Sequence, residues 1–190
     1  ILFSADKGGN EINHIYLMNE DGKISDLTPG ENEKASFAGW SKDKKSMYYI
    51  SNKRNPKFFD FYKMKVDTWK SEMLYQNDNG INISDMSEDE SWFSFSQTIT
   101  TSENKLFLTN RIDKSTIELS VEPGSYSSSG FSNDNKYFFF ITDVGEEFSY
   151  LVKYEIETGK KEVLFQTNWD VMYSYLSENE KYRVTAVNED

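Results

Sequence analysis

A short motif recurs four times along the 190-residue chain, and its spacing limits the possible folds more than any other feature of the sequence. Each copy joins an aromatic or apolar residue and a serine to a polar turn: WSKDKK, MSEDES, FSNDNK and LSENEK. The serines are 46, 45 and 45 residues apart, at Ser41, Ser87, Ser132 and Ser177. Repeats of about 40–50 residues that contain several short strands are typical of β-propellers, whose blades have four strands each. The spacing therefore predicts a propeller.

Every repeat contains four short segments with the composition of β-strands. In one repeat these segments read KASFAGW, SMYYIS, DFYKMK and SEMLY, and polar turns separate them. Within DFYKMK, the apolar Tyr62 and Met64 alternate with lysines, which is the period-2 pattern of a half-buried strand. No window keeps the i, i+3, i+4, i+7 apolar spacing of an amphipathic helix. We therefore expect an all-β chain: a β-propeller fragment or arc of about four blades, with four antiparallel strands per blade.

The motif positions also predict how the chain is divided. We expect a single propeller domain or propeller fragment over residues 1–190, with a partial blade at 1–35, blades at 36–80, 81–127 and 128–172, and a partial blade at 173–190. The sequence begins and ends within the second strand of a blade, so we expect an arc of a larger propeller. A closed four-bladed ring and a ring completed by a second copy of the chain are the alternatives.

The charge of the chain bears on its partners. Lys and Arg number 21 against 32 Asp and Glu, which gives a formal net charge of −11. A surface that follows nucleic-acid phosphates needs a basic stripe, and anionic membranes repel an acidic protein, so we expect neither partner. No apolar run approaches the roughly 20 residues of a membrane span. The chain has no Cys, which is compatible with the cytoplasm and with an export compartment alike. We expect a soluble protein, cytoplasmic rather than periplasmic.

Three stretches resemble a known family. WSKDKKSMYYISNKR, which begins at Trp40, is similar to the Trp/Phe–Ser–Pro–Asp–Gly repeat in the propellers of the prolyl oligopeptidase family and of the periplasmic TolB protein. The stretch SADKGGNEINHIYLMNEDGKISDLT, which begins at Ser4, resembles the next half-blade of the same repeat. The stretch DVGEEFSYLVKYEIETGKKEVLFQTNWDVMYSYLSENEKYRVTAVNED resembles the acylaminoacyl-peptidase-like branch of that peptidase family. The turns here lack the Pro and Gly of the family repeat but keep its aspartate at Asp43, Asp89 and Asp134.

The resemblance implies a function for the parent protein and a supporting role for this chain. In that family the propeller gates the access of peptides to an α/β-hydrolase domain that carries the serine nucleophile. This chain contains no G-x-S-x-G nucleophile elbow, so we expect a non-catalytic segment whose parent is a serine peptidase. The alternative is a TolB-like propeller that binds other proteins, and a sugar-binding propeller is less favoured. A peptide or protein ligand and a hydrolase domain of the same parent chain are the expected partners.

The candidate ligand site is a set of loops on one face. Because strand direction alternates within a blade, the loops 5–13, 52–59, 97–104 and 143–149 all emerge on the same side of a propeller. Arg54 could hold a carboxylate in bidentate fashion, with Phe58 beside it, and Glu146 and Glu147 could hold a peptide amino group. These four residues are the predicted ligand-binding set. The alternative is that they belong to solvated charged loops.

No metal, cofactor or catalytic residue is predicted. His14 is the only histidine, and we expect it to lie at the surface or the rim, at the start of a strand. The Asp- and Asn-rich turns lack the spacing of calcium loops, and no Gly-rich phosphate loop joins a strand to a helix.

Overall fold

Residues 1–189, described in a computed structural model, form short β-strands joined by turns. The strands are β1 (Leu2–Ala5), β2 (His14–Met18), β3 (Ile24–Asp26), β4 (Ala35–Trp40), β5 (Ser46–Asn55), β6 (Phe58–Lys65), β7 (Ser71–Tyr75), β8 (Asn82–Met86), β9 (Trp92–Thr98), β10 (Asn104–Asn110), β11 (Thr116–Glu118), β12 (Tyr126–Phe131), β13 (Tyr137–Thr142), β14 (Tyr150–Glu155), β15 (Lys161–Phe165), β16 (Asp170–Leu176) and β17 (Arg183–Asn188). Within residues 1–189 there is no helix of the length and apolar character needed to cross a membrane.

The strands pair antiparallel with their neighbours in sequence. Three sheets have four strands each, β4–β7, β8–β11 and β12–β15, while β1–β3 and β16–β17 form smaller sheets. The predicted all-β class, with four antiparallel strands in each complete repeat, is confirmed. The chain forms two compact units, residues 1–81 and the part that begins at Asn82. The blade limits drawn from the sequence stay a prediction.

The repeated motif forms the same turn in all four copies. In the third copy, the Ser132 hydroxyl accepts a hydrogen bond from the Tyr137 N–H (3.0 Å) and donates one to Asp134 Oδ1 (2.7 Å). The third residue after each serine has a left-handed backbone, with φ between 54° and 60°, at Lys44, Glu90, Asn135 and Glu180. The hydroxyl and the Asp or Asn side chain hold the turn together, so the other positions can vary in charge.

Unit 1 has its core on one face of the sheet β4–β7. The buried side chains are those of Ile15, Ala35, Met47, Tyr49, Tyr62 and Met64. Met47 and Tyr49, and likewise Tyr62 and Met64, lie two positions apart on one strand, so each pair faces the same side.

Unit 2 buries both faces of β13. Phe138 and Phe140 pack into a cluster with Leu106 and Leu108 of the preceding sheet and with Leu119, which follows β11. Phe139 and Ile141, on the opposite face, pack with Leu151 and Val171. A strand that is covered on both sides reads as a continuous apolar run, which explains the sequence YFFFI in place of an alternating pattern.

Candidate functional site

The predicted loop around Arg54 is a strand hairpin. The sequence predicted a loop over residues 52–59, but β5 continues to Asn55 and β6 begins at Phe58, so only residues 56 and 57 connect them. This loop prediction is wrong because a charged pair, Arg54 and Asp60, crosses the hairpin and stabilises its extended form.

The Arg54 guanidinium forms hydrogen bonds and ion pairs with groups of unit 1. Its Nε lies 2.7 Å from Asp60 Oδ2 and its Nη2 lies 2.8 Å from Asp60 Oδ1, in a bidentate arrangement. Nη2 also donates to the Asn77 carbonyl (2.7 Å) and lies 3.1 Å from Asp78 Oδ1. The carboxylate that Arg54 binds is therefore an internal one. A role for Arg54 toward a ligand stays a prediction.

Asp60 is a fully buried carboxylate at the centre of this cluster, with a side-chain exposure of 0%. It also accepts hydrogen bonds from the Asn77 N–H (2.8 Å) and the Tyr62 hydroxyl (3.2 Å). Burial by itself raises the pKa of Asp60, but Arg54, the Asn77 N–H and the Tyr62 hydroxyl outweigh burial, and the pKa lies below its ordinary value. Burial, followed by the charge of Asp60, raises the pKa of Tyr62 to about 12.

Phe58 covers the turn that follows β7. A Cβ placed on Gly80 would lie 3.4 Å from Phe58 Cε1, so the half-buried ring packs directly over this glycine. The turn itself is held by Asn77, whose Oδ1 accepts a hydrogen bond from the Gly80 N–H at 2.9 Å. Phe58 and Arg54 thus contact the same turn.

Glu146 and Glu147 lie in the loop between β13 and β14, where the sequence predicted a loop over residues 143–149. Both are exposed. Neither carboxylate forms an ion pair with another side chain of residues 1–189. Because Arg54 and Phe58 belong to unit 1 while these two acids belong to unit 2, the predicted convergence of the four residues stays a prediction.

A pocket of about 210 Å³, not predicted from the sequence, lies in unit 2 beside the loop 143–149. Its lining comes from four strands and two connecting segments: Val121, Glu122, Tyr126, Phe140, Thr142, Val144, Tyr150, Val152, Lys161, Glu162 and Val163. The loop predicted over residues 143–149 is confirmed, since β13 ends at Thr142 and β14 begins at Tyr150. The pocket is a concave surface next to this loop.

The floor of the pocket is one face of the sheet β12–β15, and the strand register decides which side chains lie next to one another on that face. Phe140, Val152 and Val163 are opposite one another on three adjacent strands, so they form one row on one face. Tyr126, Thr142 and Tyr150 form a second row on the same face, two residues further along the strands. Lys161 lies two positions before Val163 and belongs to that face. A lysine among apolar residues on one strand face was the sequence signal that could have indicated the pocket.

The wall of the pocket is the segment between β11 and β12, which two floor side chains hold in place. The Tyr126 hydroxyl donates to the Glu122 carbonyl (2.9 Å), and Lys161 Nζ donates to the Leu119 carbonyl (3.0 Å). The Tyr150 hydroxyl donates to the Val144 carbonyl (2.9 Å) and fixes the opposite wall. Burial raises the pKa of Tyr150, and the charges of Glu146, Glu122 and Asp143 raise it further.

Gly124 lets the two walls approach each other. A Cβ at this position would lie 2.7 Å from Val144 Cγ2 and 2.8 Å from Asp143 Oδ1. The same Asp143 oxygen accepts a hydrogen bond from the Ser125 N–H (2.8 Å). The rim of the pocket thus depends on a residue without a side chain.

His14 is buried, and the expectation of a surface histidine is wrong. Its exposure is 4%, and its Nδ1 lies 2.7 Å from Asp26 Oδ2. Asp26 is itself oriented by a hydrogen bond from the Thr28 N–H (3.0 Å). The imidazole can be buried because β3 supplies this partner, while Nε2 has no hydrogen-bond partner among residues 1–189. That described range also contains no group of three or more side chains placed to hold a metal ion.

The repeated four-stranded sheets and their turns define the chain as part of a β-propeller protein. Residues 1–111 match the family described as the dipeptidyl peptidase IV N-terminal region, and the chain belongs to this family. The expected resemblance to peptidase and TolB propellers is confirmed. No curated protein sequence matches the chain.

Several solved structures share the fold at low sequence identity. TolB from Acinetobacter baumannii is 15% identical with a TM-score of 0.67, and the match covers 97% of this chain and 46% of that one. Prolyl oligopeptidase B from Galerina marginata is 11% identical with a TM-score of 0.58, over 97% of this chain and 28% of that one. A puromycin-hydrolysing peptidase from Mycobacterium tuberculosis is 15% identical with a TM-score of 0.52, over 81% of this chain and 24% of that one. The chain thus spans less than half the length of each of these three proteins.

Proposed function

We propose that this chain is a non-catalytic propeller segment that gates the access of peptides to the catalytic domain of a serine peptidase. The observation that carries the proposal is membership of the dipeptidyl peptidase IV N-terminal region family. The matching prolyl oligopeptidase supports it at the level of fold. In this proposal the chain excludes large substrates and orients small ones, and an α/β-hydrolase domain of the same parent chain breaks the bond.

The exposed acids of the loop 143–149 supply the electrostatic part of this role. Glu146 and Glu147 carry uncompensated charges beside the pocket, and Glu122 adds a third carboxylate near Tyr150. Such a surface attracts the positively charged end of a peptide and repels acidic ones. A peptide approaching this face would therefore arrive with a preferred orientation.

The peptidase part of the proposal is tested on the full-length parent protein with a serine-directed fluorophosphonate probe. We expect covalent labelling and faster cleavage of short peptides than of folded proteins. The chain of 190 residues by itself should not hydrolyse peptides. Absence of labelling on the active parent would refute the peptidase assignment.

The orientation part is tested with the double variant Glu146→Gln/Glu147→Gln of the parent. We expect kcat/KM for peptides with a cationic N-terminal residue to fall by up to about fivefold, mainly through KM, because exposed charge pairs contribute little each. Glu157→Gln, an exposed acid in the turn between β14 and β15, is the matched control. An equal effect of both changes would contradict the proposed role of the loop.

A second candidate function is a protein-binding propeller of the TolB kind. The observation that favours it is the TM-score of 0.67 to TolB, above the 0.58 to prolyl oligopeptidase B. In this alternative the same loop face would bind a protein, and a second copy of the chain could complete the ring. A parent without fluorophosphonate labelling that forms a stable complex through this face would support the alternative, and a monomeric mass by light scattering would exclude ring completion.

A further inference from the structure

The pocket of unit 2 contains two opposite charges that have no ion-pair partner. Lys161 Nζ donates one hydrogen bond, to the Leu119 carbonyl, and no carboxylate of residues 1–189 forms an ion pair with it. Glu122 is exposed at the mouth, and its carboxylate likewise has no cationic partner in that range. The ammonium group of Lys161 therefore keeps two free N–H donors.

These two charges are near each other without touching. Burial lowers the pKa of Lys161, and the charge of Glu122 partly offsets this effect, so Glu122 acts on the ammonium group from a distance. The ammonium group also lies 5.8 Å from the centre of the Phe140 ring, on the pocket floor. A partly desolvated cation and a nearby acid thus flank the same cavity.

The other polar side chains that line the pocket already form hydrogen bonds or ion pairs within the protein. The hydroxyls of Tyr126 and Tyr150 donate to backbone carbonyls, and Glu162 forms an ion pair with Lys153 at 2.6 Å. The Thr142 hydroxyl oxygen accepts a hydrogen bond from the Val144 N–H (3.3 Å). Besides these groups and the two charges, the lining is apolar: four valines and the rings of Phe140, Tyr126 and Tyr150. The free recognition groups are therefore one cation, one anion and a branched aliphatic surface.

The pocket is open on the side of Val121 and Val163, which are 77% and 52% exposed, and its size suits a single small molecule. Its volume is about 210 Å³, whereas pockets for drug-sized ligands usually have about 300–1,000 Å³. An apolar cavity of about 150 Å³ is sufficient to hold benzene. A molecule slightly larger than benzene, with an ammonium group and a carboxylate attached to the same carbon, matches the space and the chemistry.

We propose that this pocket binds a free α-amino acid with a branched aliphatic side chain. The α-carboxylate binds the Lys161 ammonium, the α-ammonium binds Glu122 at the mouth, and the side chain contacts Val152 and Val163. An internal residue of a peptide has neither charge and a terminal residue has only one, so a free amino acid is the ligand that satisfies both. This proposal does not depend on the proposed gating function.

L-valine is the probe, used with the intact 190-residue chain in an NMR titration of backbone amides. We expect saturable shifts confined to the residues around the pocket, with a Kd of about 1 mM. Two analogues each lack one charge: 3-methylbutanoate lacks the ammonium group and 2-methylpropylamine lacks the carboxylate. Each should bind at least about tenfold more weakly than L-valine, because hydrogen bonds to charged groups are the stronger ones.

Variants assign the two charges to their residues. Lys161→Met keeps the aliphatic stem and should weaken L-valine at least about tenfold, while Lys161→Arg should restore much of the binding. Glu122→Gln should weaken L-valine but leave 3-methylbutanoate unchanged. Lys160→Met, at an exposed neighbouring lysine, is the control and should have no effect.

Four outcomes would overturn the proposal. One is the absence of saturable shifts at about 10 mM L-valine. A second is equal binding of L-valine and 3-methylbutanoate, which would indicate a site for simple carboxylates. Unchanged binding by Lys161→Met, and shifts that map to residues away from the pocket, are the others. If Lys161→Met does not fold, the analogue series on the unaltered chain still decides between these outcomes.

Discussion

Replacing Arg54 by methionine should strongly destabilise unit 1, because it leaves a buried carboxylate without its cation. Asp60 has a side-chain exposure of 0% and receives two charge-assisted hydrogen bonds from Arg54. Removing one partner of a buried ion pair typically costs about 3–5 kcal/mol. The Asn77 N–H and the Tyr62 hydroxyl remain bound to Asp60, and Arg54 is itself 29% exposed, so water can partly replace it. We therefore expect a loss of about 3 kcal/mol.

Urea denaturation followed by circular dichroism measures this loss. With a slope of about 2 kcal/mol per molar urea, the transition midpoint of the affected unit should fall by about 1.5 M. Lys57→Met, which removes an exposed charge at the tip of the same hairpin, should change stability by less than about 0.5 kcal/mol. The double variant Arg54→Met/Asp60→Asn should be more stable than Arg54→Met, since it removes the unpaired charge.

The effect should depend on pH in a defined direction. Because Arg54 and the other donors lower the pKa of Asp60 in the folded chain, their contribution is complete above the pKa of an unfolded aspartate. It is lost as the pH falls through the lowered folded pKa. The difference between the unaltered chain and Arg54→Met should thus be largest near neutral pH and shrink in acid. A stability loss below about 0.5 kcal/mol at neutral pH, or additive effects in the double variant, would refute the reasoning.

Two further predictions concern glycine positions. Gly124→Ala should destabilise unit 2 by about 1–3 kcal/mol in the same urea assay, because its Cβ would lie 2.7 Å from Val144 Cγ2 and 2.8 Å from Asp143 Oδ1. Unchanged stability would contradict this steric reason. Lys114 has a left-handed backbone (φ 64°), which is strained for a residue with a side chain, so Lys114→Gly should raise the free energy of unfolding by about 1 kcal/mol and raise the thermal midpoint. Gly159→Ala (φ 73°), at the equivalent turn, should lower the free energy of unfolding by a similar amount. Destabilisation by Lys114→Gly would contradict this reasoning.

The strands and the repeated turns could be predicted because their causes are local. The turn around Ser132 uses only groups within five residues of the serine, and the same bonds recur in the other three copies. The strand segments follow the alternation of apolar and polar residues, which depends only on the two-residue period of the backbone. The loop 143–149 was predicted for the same reason, since strand patterns end at Thr142 and resume at Tyr150.

The predictions that were wrong depended on side-chain pairs between different strands or turns. The charged segment before Pro56 has the composition of a loop, yet Arg54 lies in a strand because Asp60 and Asn77 bind its guanidinium. His14 has the composition of a surface position, yet it is buried because Asp26 on another strand pairs with it. A polar residue can be buried once a partner satisfies it, and the partner is visible only in the folded chain.

The sequence by itself determined the class of fold, because a 45-residue repeat with period-2 segments and Ser–Asp turns carries its own hydrogen bonds and its own apolar faces. Only the tertiary structure decided where ligands could bind. The pocket of unit 2 combines residues from Val121 to Val163, and it exists because the segment between β11 and β12 does not cover the whole face of the next sheet. Strand patterns specify which side chains face inward, but the packing of one element against another decides where that inward face stays open.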